Sequence, residues 1–588
     1  MKKSSAMSVL RTVGKSVRLI GRVDKKYLYI IAGTVIFTGL FPALSLKVMQ
    51  AIINSIQSQI GNLNYIFALI ALYLLIGLVE VLINSATGYY KTKFTLKFNI
   101  EMKKEVLNKA SRLSLQDYES SETYDMMQRA ENQTEGSIVT YFDTVMSIVG
   151  TLVTCVSYII IVFSFRVWIV PFLIIIPIIR FIISNKINVE EFNMIKKRTN
   201  DERKAWYDGY IITCGFNYKE LKLYDLFSHF IGKFESLLRH FAKQDLYISG
   251  KRIRFTLLFS ILEQALIGGL FAYTIYCGYL GNILIGDVIT YTRAMVSSKD
   301  QIQSVIQTMA DLNKSGMFIN QLFDFLELEE EEKGEGLKID KIESIEVRSL
   351  SFKYKQGNEY VLKNINLSMK EGDFVAIVGR NGSGKSTLMK ILLGFYDEYE
   401  GEILVNGKNL RDIDKRNYTE CIGALFQDFS KYEATIRENV CYSNLAVIDK
   451  NHIIMEACRN FGLETLISEQ EKGIDTQLGY WFEMGKELSY GQWQKIALAR
   501  AFIRDADLYF LDEPNAALDA ISEYEMAQLY EKAFRNKIGV VIVHKFNHFI
   551  HNANKIIVLK EGEIDGTGGH EELIKSSSEY ERLYMLQD

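Results

Sequence analysis

The sequence predicts an α-helical transmembrane bundle of six spans followed by a cytosolic α/β domain. Three observations carry that prediction. Long apolar runs recur only in the first half of the chain, an acidic stretch at Glu327–Glu335 breaks the composition, and short β-rich runs then alternate with helices around a Gly-rich turn. At 588 residues the chain exceeds one compact domain. With 48% apolar and 24% charged residues, its average fits neither a pure membrane bundle nor a disordered chain, so the halves differ. A net charge of −3 gives no basic footprint and argues against nucleic acid as a partner. The 6 Cys show no CxxC or Cys/His spacing, which argues against a zinc site or disulfide framework and fits a reducing, cytosolic side.

Residues 1–26 are basic and lack the apolar core of a secretory signal, so they are read as a cytosolic segment. The membrane region is placed at 27–315. Tyr27–Leu46, Thr144–Phe165 and Gln264–Gly286 carry no charge, Leu63–Tyr90 carries only Glu80, and Val167–Ile183 carries only Arg180. Each is about as long as the ~20 residues a span requires. A sixth span, Ile283–Met309, is inferred partly from topology, because it contains Asp287, Arg293, Lys299 and Asp300. Lys and Arg crowd segments 91–112 and 186–204, while the loops 51–63 and 278–282 have none. The positive-inside rule then expects a multi-pass protein of the cytoplasmic membrane, with both termini and the C-terminal domain in the cytosol. Polar stretches through Leu113–Ala130 and Tyr207–Tyr224 read as helical levers reaching beyond the bilayer, the bland alternative being solvated helix. A linker is expected over 316–344 and the α/β domain over 345–588.

In that domain the apolar run Phe374–Val378 precedes Gly379-Arg380-Asn381-Gly382-Ser383-Gly384-Lys385-Ser386, and a helical run from Thr387 follows. This is GxxxxGK[ST] in its strand–loop–helix setting, the mark of a P-loop NTPase domain. Its glycines let backbone N–H groups turn onto phosphates, Lys385 reaches the β- and γ-phosphates of ATP, and the Ser386 hydroxyl serves Mg²⁺. A second apolar run, Leu508–Leu511, ends in Asp512-Glu513. A carboxylate at a strand's C-terminal end stands where open α/β sheets bind ligands. Asp512 therefore fits the metal-holding acid, and Glu513 the group that polarises the attacking water. Between these motifs, Leu488-Ser489-Tyr490-Gly491-Gln492 reads as a capped helix start.

The three motifs together resemble the ATP-binding cassette family, in which such a pentapeptide contacts the γ-phosphate held by another cassette. The resemblance implies that Tyr354 stacks on adenine and that Gln427 senses Mg²⁺ and the membrane domain. It implies further that Asp519 communicates between sites, that His544 holds the γ-phosphate and orients the water, and that Ser489, Gly491 and Gln492 form the signature. Glu483 resembles the exporter-type loop that touches intracellular helices. Tyr490 departs from the family, which usually has Gly there; a side chain at that position can point away, so a working site is expected.

Six spans fused before one cassette resemble an exporter half-transporter, the motifs being nearest to bacterial lantibiotic and other peptide exporters but without an N-terminal peptidase domain. The resemblance implies ATP and Mg²⁺ as ligands and a pair of cassettes sandwiching two nucleotides. A homodimer is the simplest assembly, and a heterodimer the alternative. The expected function is ATP-driven export of a modified, cationic peptide by alternating access. Multidrug or lipid export is the alternative, and a nucleotide-gated regulator that transports nothing a third reading. Glu80 and Glu263, carboxylates within or beside apolar runs, are the candidate cargo contacts. A charge near the membrane boundary, or a pairing with a Lys or Arg of a neighbouring helix, is the bland alternative for both.

Overall fold

The computed structural model describes every residue except Met1, 60–61, Gln133, Glu135, 332–335, Gln356, Asn358, 515–519, 544–547 and 587–588. It divides into two units: Met1–Ser111 with Glu122–Leu328, and Arg112–Ser121 with Glu329–Asp588.

The first unit is all helix. It begins with the basic amphipathic α1 (Lys2–Val23), α2 (Lys25–Thr38) and α3 (Phe41–Gln57). The last two form one candidate span, broken at Gly39–Leu40 just ahead of Pro42, whose ring suits a first helical turn. α4 (Leu63–Ala110) follows, and the chain passes through the short α5 (Leu115–Tyr118) and α6 (Ser121–Asn132). It returns through α7 (Ser137–Phe165), α8 (Ile169–Thr213), the short α9 (Tyr218–Leu223), α10 (Phe227–Tyr279) and α11 (Ile285–Leu326). At about 1.5 Å per residue, the 48 residues of α4 and 53 of α10 extend some 70–80 Å, more than twice the ~30 Å of bilayer hydrocarbon. The polar stretches after the apolar runs are therefore largely continuations of the same helices.

Small residues let α2 and α7 approach closely. A Cβ on Gly150 would meet Val35 Cγ1 at 2.7 Å, and the Thr154 hydroxyl donates to the Gly39 carbonyl at 2.8 Å. Among the described residues, 5 helices are long and apolar enough to cross a membrane. α11 is long enough but too polar to count among them. It packs against α3, α7, α8 and α10, so its polar groups meet protein. Asp287 accepts from Gln50 and Asn54, both at 2.6 Å, while Thr290 and Ser298 are fully buried. A helix enclosed by neighbours does not need the apolarity that lipid contact demands. It also runs on to Leu326, past the boundary at 315 expected from hydropathy, because a fall in apolarity does not end a helix.

The second unit carries two sheets. The first is an antiparallel sheet in the order β2–β1–β4–β5: β1 (Ser344–Phe352), β2 (Leu362–Lys370), β4 (Glu400–Val405) and β5 (Lys408–Asn409). The other runs β10–β9–β3–β8–β7–β6, from β3 (Phe374–Gly379), β6 (Ile422–Leu425), β7 (Leu508–Asp512), β8 (Ile538–Ile542), β9 (Lys555–Lys560) and β10 (Glu563–Gly568). All its pairings are parallel except that of β10. β3, β7 and β8 are buried at every position, which is why they read as unbroken apolar runs. Arg112–Ser121 belongs to this unit: Leu115 packs on its core, and Glu119 accepts from Lys390 at 2.9 Å and from Tyr396 at 2.8 Å.

Candidate functional site

β3 and β7 end on the same edge of the parallel sheet with β8 between them, so the Gly-rich turn and the acidic pair are brought together. After β3 the backbone turns at Gly379, where a Cβ would lie 2.3 Å from the Leu559 carbonyl oxygen. It turns again at Gly384, whose φ of +102° favours glycine, before the helix Lys385–Leu392 begins. The Lys385 ammonium, 5% exposed, donates to the carbonyls of Gly379 at 2.7 Å and Arg380 at 3.0 Å. Burial lowers its pKa, opposed by the charges of Asp512 and Glu513. The Ser383 hydroxyl is buried with no hydrogen-bond partner among the described residues. A desolvated cation and a helix N-terminus at one cavity, with a buried hydroxyl lacking a partner in the same loop, are a fit for phosphate oxygens. That cavity, about 500 Å³, is lined by Asn381, Gly382, Gly384, Lys385, Ser386, Thr387, Val361, Gln427 and Glu513.

Asp512 lies 3.4 Å from the Ser386 hydroxyl, which donates to it. Burial and the neighbouring Glu513 push its carboxyl up to about 6. A divalent cation would remove that penalty, so Asp512 and Ser386 fit an Mg²⁺ ion held with the nucleotide. Glu513 follows the strand in the left-handed region at φ +49°, an uncommon conformation for a side chain other than Gly, Asn or Asp. Its N–H donates to the Ile542 carbonyl at 3.1 Å, its own carbonyl accepts from Gln494 at 3.1 Å, and its carboxylate accepts from the Gln427 amide at 3.1 Å. Sequence reasoning missed Gln494. No signal set it apart, because the same helix also carries Gln492, Lys495 and Arg500.

The signature helix, Tyr490–Phe502, starts at Ser489 with a reciprocal cap: Gln492 N–H donates to the Ser489 hydroxyl at 3.3 Å, and Ser489 N–H to the Gln492 side chain at 3.0 Å. Ser489 is exposed, and Tyr490 is accommodated inside a regular first turn. Tyr354 is not among the cavity's lining residues. Its hydroxyl stands 2.9 Å from that of Thr387, and its ring packs edge-on against Phe352 and Tyr396. Arg380 points elsewhere as well, pairing at 2.5 Å with the buried Glu579. Glu483 is exposed in its loop. Asp519 and His544 lie outside the described residues.

The two carboxylates expected to meet cargo part company. Glu263, 4% exposed, forms an ion pair with Arg180 at 3.2 Å, so the structure realises the bland pairing. The partner was visible in the sequence as the only charge of its apolar run. Glu80 is half-buried with no ion pair among the described residues. Those residues include no cluster of three or more His, Cys, Asp or Glu able to hold a metal by themselves.

Comparison with known proteins bears on the whole chain. Residues 362–516 match the ABC transporter domain family. The subtilin transport ATP-binding protein SpaT of Bacillus subtilis is 35% identical over 587 residues, 99% of this chain and 95% of that protein. The nisin transport ATP-binding protein NisT of Lactococcus lactis is 33% identical over 584 residues, 98% and 96% of the two chains. An ATP-dependent lipid A-core flippase of Desulfotalea psychrophila is 34% identical over 310 residues, 52% of this chain and 53% of that one. The solved structure of a bacterial Atm1-family ABC exporter with ATP bound superposes with a TM-score of 0.82 at 18% identity, over 96% of this chain and 99% of that one, and shares its fold. Apolar helices, cassette and full-length relatives converge: the chain belongs to the ABC transporter family as an exporter-type half-transporter, an integral membrane protein whose cytosolic cassette hydrolyses ATP to drive export.

Proposed function

We propose that the cargo is a peptide and that two copies of this chain form the working exporter. The observation that carries the cargo class is the near-complete alignment, through membrane helices as well as cassette, with proteins named for subtilin and nisin transport. The lipid flippase aligns over about half the chain and supports the lipid reading less. Glu263 is neutralised by Arg180, so the cationic character of the peptide rests on Glu80 alone.

Two copies are needed because Ser489 caps an exposed helix start and contributes nothing to the cavity around Lys385 in its own chain. Exposed apolar groups on both units support a second copy: Trp206, Tyr207, Tyr210 and Tyr224 in the first, and Tyr480, Trp481, Phe482 and Met484 in the second. Both termini are placed in the cytosol, as the loop charges require.

Within each site, Lys385 and the Gly379–Ser386 loop bind the phosphates, and Ser386, Asp512 and Gln427 would hold Mg²⁺. Mg²⁺, when bound, would supply charge neutralisation on the transferring phosphoryl group. Tyr354 as adenine platform, and Asp519 and His544 as communicating and γ-phosphate groups, rest on the family resemblance. The Glu513 carboxylate, oriented by the Gln427 amide, accepts the proton of the attacking water as its oxygen bonds to the γ-phosphorus and the bond to ADP breaks. Loss of the γ-phosphate loosens the pair, and the membrane units return to their resting arrangement.

The test is Glu513→Gln in lipid vesicles. ATP binding is expected to persist while turnover and uptake of peptide into inside-out vesicles both stop. Full turnover in the variant refutes the role of Glu513. Uptake of lipid probes or dyes in preference to peptides by the parent protein refutes the cargo class.

A further inference from the structure

Tyr490 occupies the signature position usually held by Gly, and its side chain reaches back across the cassette. Its hydroxyl donates to the Gln427 carbonyl at 3.4 Å, its ring lies 5.4 Å from that of Phe429, and the Lys431 ammonium sits 5.4 Å above it. The far end of the same helix grips the same segment, where Arg500 donates to the Ser430 carbonyl at 3.1 Å and lies over the Tyr432 ring. Midway, Gln494, 2% exposed, donates to the Glu513 carbonyl. The signature helix is therefore fastened to the residues 427–432 and to Glu513, and the Gln427 amide closes the circuit onto the Glu513 carboxylate. Glycine at 490 would leave the fastening at Gln494 and Arg500 but remove the one next to Ser489.

We infer that Tyr490 is a positioning residue that ties the two nucleotide sites of the exporter together, a role resting on the two-copy reading above. Ser489 serves the nucleotide held by the other copy, and Tyr490, its neighbour, holds the backbone of Gln427, whose amide bonds to the Glu513 of its own copy. Displacing Ser489 as the opposite site fills moves Tyr490 and shifts Gln427 against Glu513. Engagement of one site thereby biases the water-activating group of the other, which is a coupling free energy in the reciprocal sense. Phenylalanine would keep the contacts with Phe429 and Lys431 and lose only the hydrogen bond. Glycine would lose both.

The experiment uses full-length protein in nanodiscs, with ATP turnover measured across ATP concentrations for the parent, Tyr490→Phe and Tyr490→Gly. The parent is expected to turn over cooperatively, with a Hill coefficient above one. Tyr490→Gly is expected to bring that coefficient to about one, a loss of at least about fivefold in the affinity ratio between second and first sites. Tyr490→Phe is expected to fall between them. A merely structural tyrosine would lower the melting temperature and total turnover without changing the shape of the curve. ATP-dependent cross-linking between cysteines introduced at Asn381 and Ser489 reports the pairing of copies separately. Where the cross-link forms and Tyr490→Gly keeps the parental Hill coefficient, or the parent is non-cooperative, the role of Tyr490 is overturned. Where ATP produces no cross-link, the two-copy reading itself falls.

Discussion

Asp512 sets a measurable conflict between stability and function. Its carboxyl is raised from 3.8 to about 6 by burial and by Glu513. About two pKa units at about 1.4 kcal/mol each mean that ionising Asp512 costs the nucleotide-free cassette about 3 kcal/mol at pH 7. The unfolded chain releases this proton near the ordinary value and the folded cassette only near pH 6. Between those values the folded state binds more protons, and the contribution of Asp512 to stability falls as pH rises. Asp512→Asn keeps the shape and removes the charge. At about 2–4 °C per kcal/mol for a domain of this size, it is expected to raise the cassette's melting temperature by about 6–12 °C at pH 7. The gain shrinks as pH falls and is small by pH 4, where the folded carboxyl is protonated and the unfolded one, with its ordinary value of 3.8, is about half protonated. Mg²⁺ with ATP should stabilise the parent strongly and the variant weakly. Calorimetry of both proteins from pH 4 to 8, with and without Mg²⁺ and ATP, measures each quantity. A variant that melts at or below the parent at pH 7 without ligand, or that gains as much as the parent from Mg²⁺, refutes the reasoning.

Arg180→Met leaves the buried Glu263 without its cation and is expected to cost about 3–5 kcal/mol, whereas Arg180→Met with Glu263→Leu should recover most of that loss. Thermal unfolding in detergent checks both, and a double variant no more stable than the single one denies the pairing. Gly379→Ala sets a Cβ 2.3 Å from the Leu559 carbonyl oxygen, so ATP binding measured by fluorescence should be lost; unaltered binding would show that the loop can shift. Glu119→Ala removes an acceptor shared by Lys390 and Tyr396. Cargo stimulation of turnover should fall severalfold while turnover without cargo stays within about twofold, the two rates being compared in the same vesicles.

The nucleotide site was legible because its chemistry is local in sequence. A strand, a glycine turn and a lysine fall within Phe374–Ser386, and the acidic pair directly ends an apolar run. What escaped is what the fold brings together from afar. Gln494 supporting the Glu513 backbone, Tyr490 reaching the Gln427 carbonyl and Glu579 drawing Arg380 away are contacts between residues 19, 63 and 199 positions apart. Hydropathy identified the apolar spans and undervalued α11, whose Asp287 is met by Gln50 and Asn54 of α3. It placed both Glu263 and Arg180 in the membrane region without revealing that they meet, because residues 83 apart on two helices have no periodicity in common.

The small piece of chain at Arg112–Ser121 has a practical bearing. A polypeptide cut to begin at Glu329 would carry every nucleotide motif, yet it would lack a seam of its own compact unit. The seat of Leu115 would lie open to water, and the Tyr396 hydroxyl and Lys390 ammonium would lose the carboxylate they share. Soluble fragments of this protein are thus expected to clump through that bared seat, and a grafted decapeptide of sequence 112–121 should restore their dispersity.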